Sequence, residues 1–148
     1  MKKIKGIIAI GLLSIMLIAG ASTTIACEGL TPGYWKNHPD DWYSLDPDQT
    51  IGSVFIGLPS SVPSSITEAT LMEALSFKGG NGFEGAVRIL LRSAVAALLN
   101  HYHPDIEYEI GAGLIITRVN NAISSGERFR ILSLKDQFDE WNNQGLLD

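Results

Sequence analysis

The feature that most limits the possible folds is a long segment with a broad apolar face, from Phe83 to His101. Its apolar residues recur at the three- and four-residue spacing of a helix, and its alanine-rich stretch lets a neighbouring element approach closely. The residues of that face are Val87, Leu90, Leu91, Ala94, Val95, Leu98 and Leu99. Pro104 ends the segment, because proline cannot continue a helix. The pattern predicts a long helix with a wide surface to bury.

Two further helical patterns flank this segment. The first runs from Ser65 to about Phe77, where Ser65 followed three residues later by Glu68 forms a capping box, and the glycine-rich run 79–82 ends it. The second runs from Gly113 to Ser124. Its apolar residues are Leu114, Ile115, Val119, Ala122 and Ile123. Each pattern predicts a helix with one apolar stripe.

A fourth helix is predicted from Glu127 to Asn143, with Ser124 and Glu127 as a second capping box and Gly145 as its C-terminal cap. Its inner stripe consists of Ile131, Leu134, Phe138 and Trp141. The sequence therefore predicts a mostly α fold, a small bundle of three to four helices over 66–148. An aromatic, loop-rich lead-in over 27–65 is expected to pack on this core, so that 27–148 form one domain.

The lead-in concentrates aromatic residues, with Tyr34, Trp35, Trp42 and Tyr43 lying within ten positions. Such rings can stack on the faces of sugars. Tyr34, Trp35, Lys36, Asn37, His38 and Trp42 are therefore a candidate carbohydrate-binding set. Clustered aromatics beside a small helical core more often bury themselves, and this packing role is the preferred interpretation. Between them, Asn37 is expected to cap a brief helix with Pro39 in its first turn.

The three histidines, His38, His101 and His103, are candidate metal ligands, and imidazole nitrogens with nearby carboxylates suit Zn²⁺. Their spacing matches no established metal motif. The alternative is that His101 and His103 cap the last carbonyls of the long helix, where a partly charged imidazole is favourable. This alternative is preferred, and no cofactor is expected.

Catalytic signatures are weak in this chain. The sequence contains neither a G-x-S-x-G motif nor a P-loop nor a complete G-x-G-x-x-G. Glu84, Arg88 and Arg92 recur every four residues along the central helix, which predicts a stabilising stripe of ion pairs. The chain is more consistent with a non-enzymatic module than with an enzyme.

The amino terminus has the three parts of a Sec-type signal peptide, predicted over 1–26. Lys2, Lys3 and Lys5 precede an uncharged apolar stretch, and small residues suited to cleavage end at Ala21 and again at Ala26. The alternative is an uncleaved membrane anchor. Export, to the cell surface or the medium, is the expected outcome.

Removal of this leader makes the chain more acidic. The full sequence has 11 basic and 16 acidic residues, net −5, and three of the basic residues but none of the acidic ones lie in the leader. The remainder therefore carries eight basic residues and a formal charge of −8. An acidic surface repels phosphate backbones, so nucleic-acid binding is not expected. It suits a soluble extracellular domain.

Cys27 is the only cysteine, so no disulfide can form within the chain. Three roles stay open for it: a lipid anchor at the new terminus, a bridge between two chains, or a free thiol. Membrane attachment is expected only through a lipidated Cys27 or an uncleaved leader.

Three segments resemble a family of exported bacterial and archaeal proteins. They are Cys27-Glu28-Gly29-Leu30-Thr31-Pro32-Gly33-Tyr34-Trp35-Lys36-Asn37-His38-Pro39, the run from Leu90 to Asn100 followed by His103-Pro104, and the closing Asn142-Asn143-Gln144-Gly145. The resemblance implies export and specifies no activity. Relatives often carry a second cysteine where this chain has Leu146. The resemblance thus implies that Cys27 is half of a terminus-to-terminus disulfide whose other half is missing.

These observations favour an exported structural or interaction module whose partners are envelope proteins or polysaccharide. A small secreted metal-dependent hydrolase using His38, His101 and His103 is the first alternative. A carbohydrate-binding module using the aromatics of the lead-in is the second.

Overall fold

The computed structural model describes residues 30–144, which fold almost entirely into helices. In chain order the elements are α1 (Pro32–Asn37), a 3₁₀ turn (Pro39–Asp41), α2 (Ile51–Val54), α3 (Ser64–Thr67), α4 (Leu71–Ala74), α5 (Gly82–Tyr102), α6 (Ala112–Ser124) and α7 (Arg128–Asn142). The described residues form no strand, only an isolated antiparallel bridge between Thr50 and Thr70. The three long helices pack together, so the predicted mostly α, bundle-like fold is confirmed.

Helix α5 lies at the centre of the molecule, in contact with α6, α7, α1 and α4. Every residue from Ser93 to Asn100 is buried, on all sides of the helix. A helix buried all round needs neighbours on every face. Here α6 and α7 cover one side and the lead-in covers another, which explains why burial exceeds the apolar face predicted from the sequence.

Helices α6 and α7 begin and end within one residue of the predicted positions. The inward-facing residues Ile115, Val119 and Ile123 of α6 and Ile131 and Phe138 of α7 are buried in the common core. One prediction on this stripe is wrong. Leu114 is 45% exposed, because it lies in the first turn of α6 on the outer side of the helix.

The predicted helix from Ser65 to Phe77 is wrong, because the structure has two short helices, α3 and α4, in its place. The break falls where the chain pairs with the segment before α2: the Ile51 N–H donates to the Ala69 carbonyl at 2.8 Å. The capping box lies at the second helix, not at Ser65. Thr70 Oγ1 accepts from the Glu73 N–H at 3.1 Å, and Glu73 Oε2 accepts from the Thr70 N–H at 2.8 Å.

Two other predicted caps are also corrected. Asn37 ends α1 and donates its amide to the Gly33 carbonyl at 2.9 Å, while His38 precedes the 3₁₀ turn. Ser124 is the last residue of α6, and no side chain caps α7. In both places one helix ends and another begins within the same few residues.

The described residues include no helix that is long and apolar enough to cross a membrane. The predicted leader, Cys27, the predicted cap Gly145 and Leu146 lie outside residues 30–144.

Candidate functional site

The lead-in is fixed to the core through α1. Thr31 caps this helix, since its Oγ1 accepts from the Tyr34 N–H at 3.2 Å. The cap directs Trp35 inward, where the indole is fully buried against α5. Its Nε1 donates to Asn100 Oδ1 at 2.9 Å, so the largest ring of the motif is also hydrogen-bonded inside the core.

Asn100 is the centre of a buried amide network. Its Oδ1 also accepts from the Leu30 N–H at 2.7 Å, and its Nδ2 donates to the Leu30 carbonyl and to Asn142 Oδ1, both at 2.9 Å. A primary amide offers two donors and an acceptor with two lone pairs, so Asn100 makes all the hydrogen bonds it can. Both the N–H and the carbonyl of Leu30 are therefore hydrogen-bonded to this one side chain.

Asn142 extends the network to two further segments. Its Oδ1 accepts from the Tyr108 hydroxyl at 2.7 Å, and its Nδ2 donates to the Ser93 carbonyl at 2.9 Å. Burial, and after it the charges of Glu109 and Asp139, raise the pKa of Tyr108 and keep its hydroxyl protonated as a donor. A fully satisfied buried network holds its members in one arrangement. It joins the lead-in, α5, the 103–111 loop and α7.

A charged group borders the network. The Ser93 hydroxyl donates to Asp139, and Lys135 Nζ lies 2.8 Å from Asp139 Oδ2. Hydrogen bonds to Asp139 and then to Asp136 raise the pKa of Lys135, against the opposing effect of its partial burial. The Asp139 carboxylate is therefore neutralised on one oxygen and hydrogen-bonded on the other.

Beside α1 five rings lie in contact one after another, and we call them the ring row: His38, Tyr34, Trp35, His103 and Tyr43. His38 stacks on Tyr34 with centroids 4.0 Å apart, and Tyr34 meets Trp35 edge-on at 5.2 Å. His103 lies 5.7 Å from Trp35 and 5.0 Å from Tyr43. Tyr43 is 47% exposed. The row thus runs from exposed His38 through the core to exposed Tyr43.

The hydroxyl of Tyr34, a member of this row, is hydrogen-bonded to an acidic side chain. Its hydroxyl donates to Asp41 Oδ2 at 3.2 Å. Partial burial, followed by the hydrogen bond and charge of Asp41, raises the pKa of Tyr34. The ring is therefore a neutral phenol that is held in place at both its edge and its hydroxyl.

The structure divides the predicted carbohydrate-binding set. Trp35 is fully buried, and Trp42 is half-buried with its Nε1 donating to the Trp35 carbonyl at 3.0 Å. Both indoles serve packing, which agrees with the preferred interpretation. Tyr34 and His38 lie on the ring row, and Asn37 is occupied with Gly33. Lys36 lies apart from these residues and lines a pocket.

The three histidines have separate surroundings. His38 Nδ1 lies 2.8 Å from the Tyr34 carbonyl, and His101 packs edge-on against Tyr102 at 5.1 Å. His103 Nδ1 accepts from the Asp105 N–H at 3.3 Å. Within residues 30–144 no group of three or more His, Cys, Asp and Glu side chains is placed to hold a metal ion. At the end of α5 the His103 backbone N–H, not its imidazole as predicted, donates to the Leu99 carbonyl.

The predicted ion-pair stripe is present at one end. Arg88 pairs with Glu84 at 2.9 Å. Arg92 instead donates to the Phe77 carbonyl at 3.2 Å, because the chain after α4 passes beside α5 there.

Two pockets open on the described surface. The larger, about 410 Å³, lies where the start of α1 meets α5 and α7, and we call it the α1 pocket. Thr31, Pro32, Gly33, Lys36, Leu75, Arg92, Asp139 and Asn143 line it. The smaller, about 310 Å³, lies between α6 and α7 beside Arg118 and Arg130. Each pocket carries two cationic side chains on an otherwise acidic protein.

The residues that sequence reasoning missed are those of the amide network, namely Asn100, Asn142 and Tyr108. A signal for Asn100 was available, because it follows directly on the apolar face of the longest helix. A polar residue in such a place needs a buried partner. Nothing in the spacing indicated that the partner would be Leu30, 70 residues earlier.

The network also brings together the three segments that carry the resemblance to exported proteins, through Trp35, Asn100 and Asn142. Their side chains meet in the core, where they fix the lead-in. Membership of that family stays a prediction. Comparison with known proteins found no family model, no curated protein and no solved structure that matches this chain.

Proposed function

We propose that this chain is an exported, non-enzymatic structural or interaction module that acts at the cell surface or in the medium. The amide network carries this proposal. The most distinctive polar groups of the motif, the Trp35 indole N–H and the amides of Asn100 and Asn142, are consumed in buried hydrogen bonds. They build a rigid scaffold, and a rigid scaffold with an ordered surface is what a binding module requires.

The surface that remains supports an interaction role. The ring row presents Tyr43 and His38 to solvent, and the α1 pocket lies on another side of the same short helix. Both are positioned by the network through α1. The acidic balance of the chain after its leader disfavours the phosphate backbone of nucleic acid, and it leaves envelope proteins or polysaccharide as the partners.

The export part of the proposal is tested by fractionating the native organism and measuring the intact mass of the protein. We expect it in the medium or on the cell surface, starting at Ser22 or at unmodified Cys27. A start at acylated Cys27 would place it on the membrane as a lipoprotein. Retention of Met1 in the cytoplasmic fraction would contradict export.

Carbohydrate binding by the ring row is a second candidate, and the half-exposed Tyr43 ring, edge-on to His103, favours it. Aromatic rings at a surface bind sugars through their faces. The experiment is co-sedimentation with purified envelope polysaccharide. Tyr43→Ala should reduce binding several-fold. Phe129→Ala is the matched control, because Phe129 is a 79% exposed ring on another part of the surface and its loss should change nothing.

The metal-dependent hydrolase remains the rival, with His38, His101 and His103 as ligands. Metal analysis of the purified protein separates it from the module. Stoichiometric zinc that is lost in a His101→Ala/His103→Ala double variant would favour the hydrolase. Equal, substoichiometric metal in both proteins would favour the module.

A further inference from the structure

We propose that the α1 pocket binds a monoanionic sugar of the uronic acid type, with its carboxylate between Lys36 and Arg92. This inference rests on the proposed function, since it names the kind of polysaccharide unit that the module recognises. The pocket is separate from the ring row, which lies along Tyr34 and His38.

The charges around the pocket carry the first step. Among the described residues Lys36 makes no ion pair or hydrogen bond through its side chain, and Arg92 makes one hydrogen bond, to the Phe77 carbonyl. Neither cation has a carboxylate partner there. The carboxylate in the lining, Asp139, is already paired with Lys135. Two uncompensated cations therefore face the pocket of an acidic protein, and they favour an anion.

The same charges limit the anion. Lys36 and Arg92 contribute two positive charges to the lining, and the Asp139 carboxylate beside them is occupied by Lys135 and Ser93. A carboxylate places a single negative charge between the two cations, whereas a doubly charged phosphate monoester would bring more negative charge close to Asp139. Arginine also binds a carboxylate with a planar pair of donors, which fixes its orientation.

The remaining lining groups suit hydroxyls. Thr31 Oγ1 accepts from the Tyr34 N–H, which leaves its own proton free to donate. Asn143 adds an exposed side-chain amide, and its Nδ2 donates to the backbone carbonyl of Asp139. Leu75 and Pro32 provide apolar surface for the face of a ring. Neighbouring donors, acceptors and apolar contacts are the combination that a pyranose carrying a carboxylate requires.

The size of the pocket is consistent with one or two sugar units. Small-ligand pockets measure roughly 300–1,000 Å³, and this one has about 410 Å³. Gly33 lies at its rim, and a methyl group added there would approach no atom more closely than Thr31 Oγ1 at 3.7 Å. A methyl group at this position would therefore fit without a clash.

The test is an NMR titration of the complete mature protein with glucuronate, glucose, acetate and inorganic phosphate. We expect glucuronate to shift the amide signals of Lys36, Arg92 and Asn143, with an affinity at least about tenfold above those of glucose and acetate. Equal affinity for glucose would overturn the role of the carboxylate. An affinity for acetate equal to that for glucuronate would show that the sugar ring contributes nothing to binding. An equal affinity for phosphate would show only a general attraction of anions, and either result would contradict the proposal. No shift at the pocket with any probe would overturn the site.

Lys36→Glu is the variant that tests the pocket directly, because Lys36 is exposed and its loss should not affect folding. It should weaken glucuronate binding about tenfold or more. Lys78→Glu is the matched control, since it changes charge equally at an exposed position outside the lining. Equal weakening in both variants would assign the effect to net charge and contradict the proposal. If these tests contradict the pocket proposal, continued export and polysaccharide association of the Lys36→Glu variant would still support the proposed function.

Discussion

The first part of the lead-in, over residues 30–43, and the following segment over 45–77 are both poor in regular structure, yet they are held in different ways. The first part is attached to the core by side chains: Asn100 holds Leu30 and Trp35 across 70 and 65 residues of sequence. The second segment is held together by backbone hydrogen bonds between its own two halves. The Leu71 N–H donates to the Gln49 carbonyl at 2.8 Å, next to the bridge between Thr50 and Thr70.

The difference determines how each region responds to substitution. A backbone hydrogen bond survives a change of side chain, so the stability of the second segment is spread over many residues. A bond made by one amide is lost with that amide, and its buried partners are left unpaired. We therefore expect large effects from substitutions of polar residues in the network and small ones from substitutions of polar residues in the 45–77 segment, whose buried apolar residues such as Phe55 belong to the core.

The largest effect is expected for Asn100→Leu, which has a similar volume and no polar atom. It leaves the Trp35 indole N–H and the backbone of Leu30 buried without partners. We expect a loss of about 4 kcal/mol in the free energy of unfolding, measured in urea. The control is Asn37→Ala, which removes an exposed amide and should cost less than about 1 kcal/mol. Similar losses of unfolding free energy in Asn100→Leu and Asn37→Ala would contradict the expected importance of the buried network.

A gain of about 3 kcal/mol is expected for Leu146→Cys in a mature chain that retains Cys27. Leu30 and Asn142 bond to the same amide, and positions 27 and 146 lie three and four residues beyond them. We therefore expect the new cysteine to pair with Cys27 and to close a long loop. Mass spectrometry checks the bond, and reduction should reverse the gain. Two free thiols after oxidation would show that the ends do not meet.

Tyr108→Phe should cost about 1 kcal/mol near pH 7, because it removes the hydrogen bond to Asn142. Burial first, then Glu109 and Asp139, raise the pKa of Tyr108 above its ordinary 10.0 in the folded protein. The unfolded chain then ionises first as the pH rises. This contribution is fully present below pH 10.0 and is lost progressively above it.

The wild-type protein should therefore lose more stability on going from about pH 9 to about pH 11 than the Tyr108→Phe variant does. Lys135, whose pKa is also raised, adds a loss of the same sign to both proteins. Urea unfolding over this range measures the difference. Parallel curves for the two proteins would exclude Tyr108 as a source of alkaline sensitivity.

The last prediction tests the second region. Thr70→Ala removes the capping box of α4 and should cost about 1 kcal/mol, with the rest of the segment held by backbone bonds. Thr67→Ala is the control, since its hydroxyl makes only a longer contact, 3.4 Å, to the Ser64 carbonyl, and the change should cost less than about 0.5 kcal/mol. A loss in Thr70→Ala near that of Asn100→Leu would break the distinction between the two regions.

The three long helices were predictable because their apolar residues repeat over many turns, and each ends near a clear stop such as Pro104. The segment 65–77 was not. Its repeat covers only three turns, and the Ile51 N–H competes for the Ala69 carbonyl that a continuous helix would use. Short patterns lose to tertiary contacts of this kind, because a short helix is marginal without packing.

Of the candidate site, the packing role of Trp35 and Trp42 followed from composition, since aromatics beside a small core bury themselves. The amide network did not follow, because it depends on contacts across 34 to 70 residues that no local spacing encodes. The α1 pocket could not be predicted from the sequence either, since Lys36, Arg92 and Asn143 come from three separate helices or their ends.

The amide network also has a consequence for the order of folding. Leu30 and Trp35 are among the first described residues to leave the ribosome, whereas Asn142, which completes their attachment, is among the last. Domains generally fold as units during or after synthesis. The segments that the network joins can therefore be fixed together only after α7 has been made.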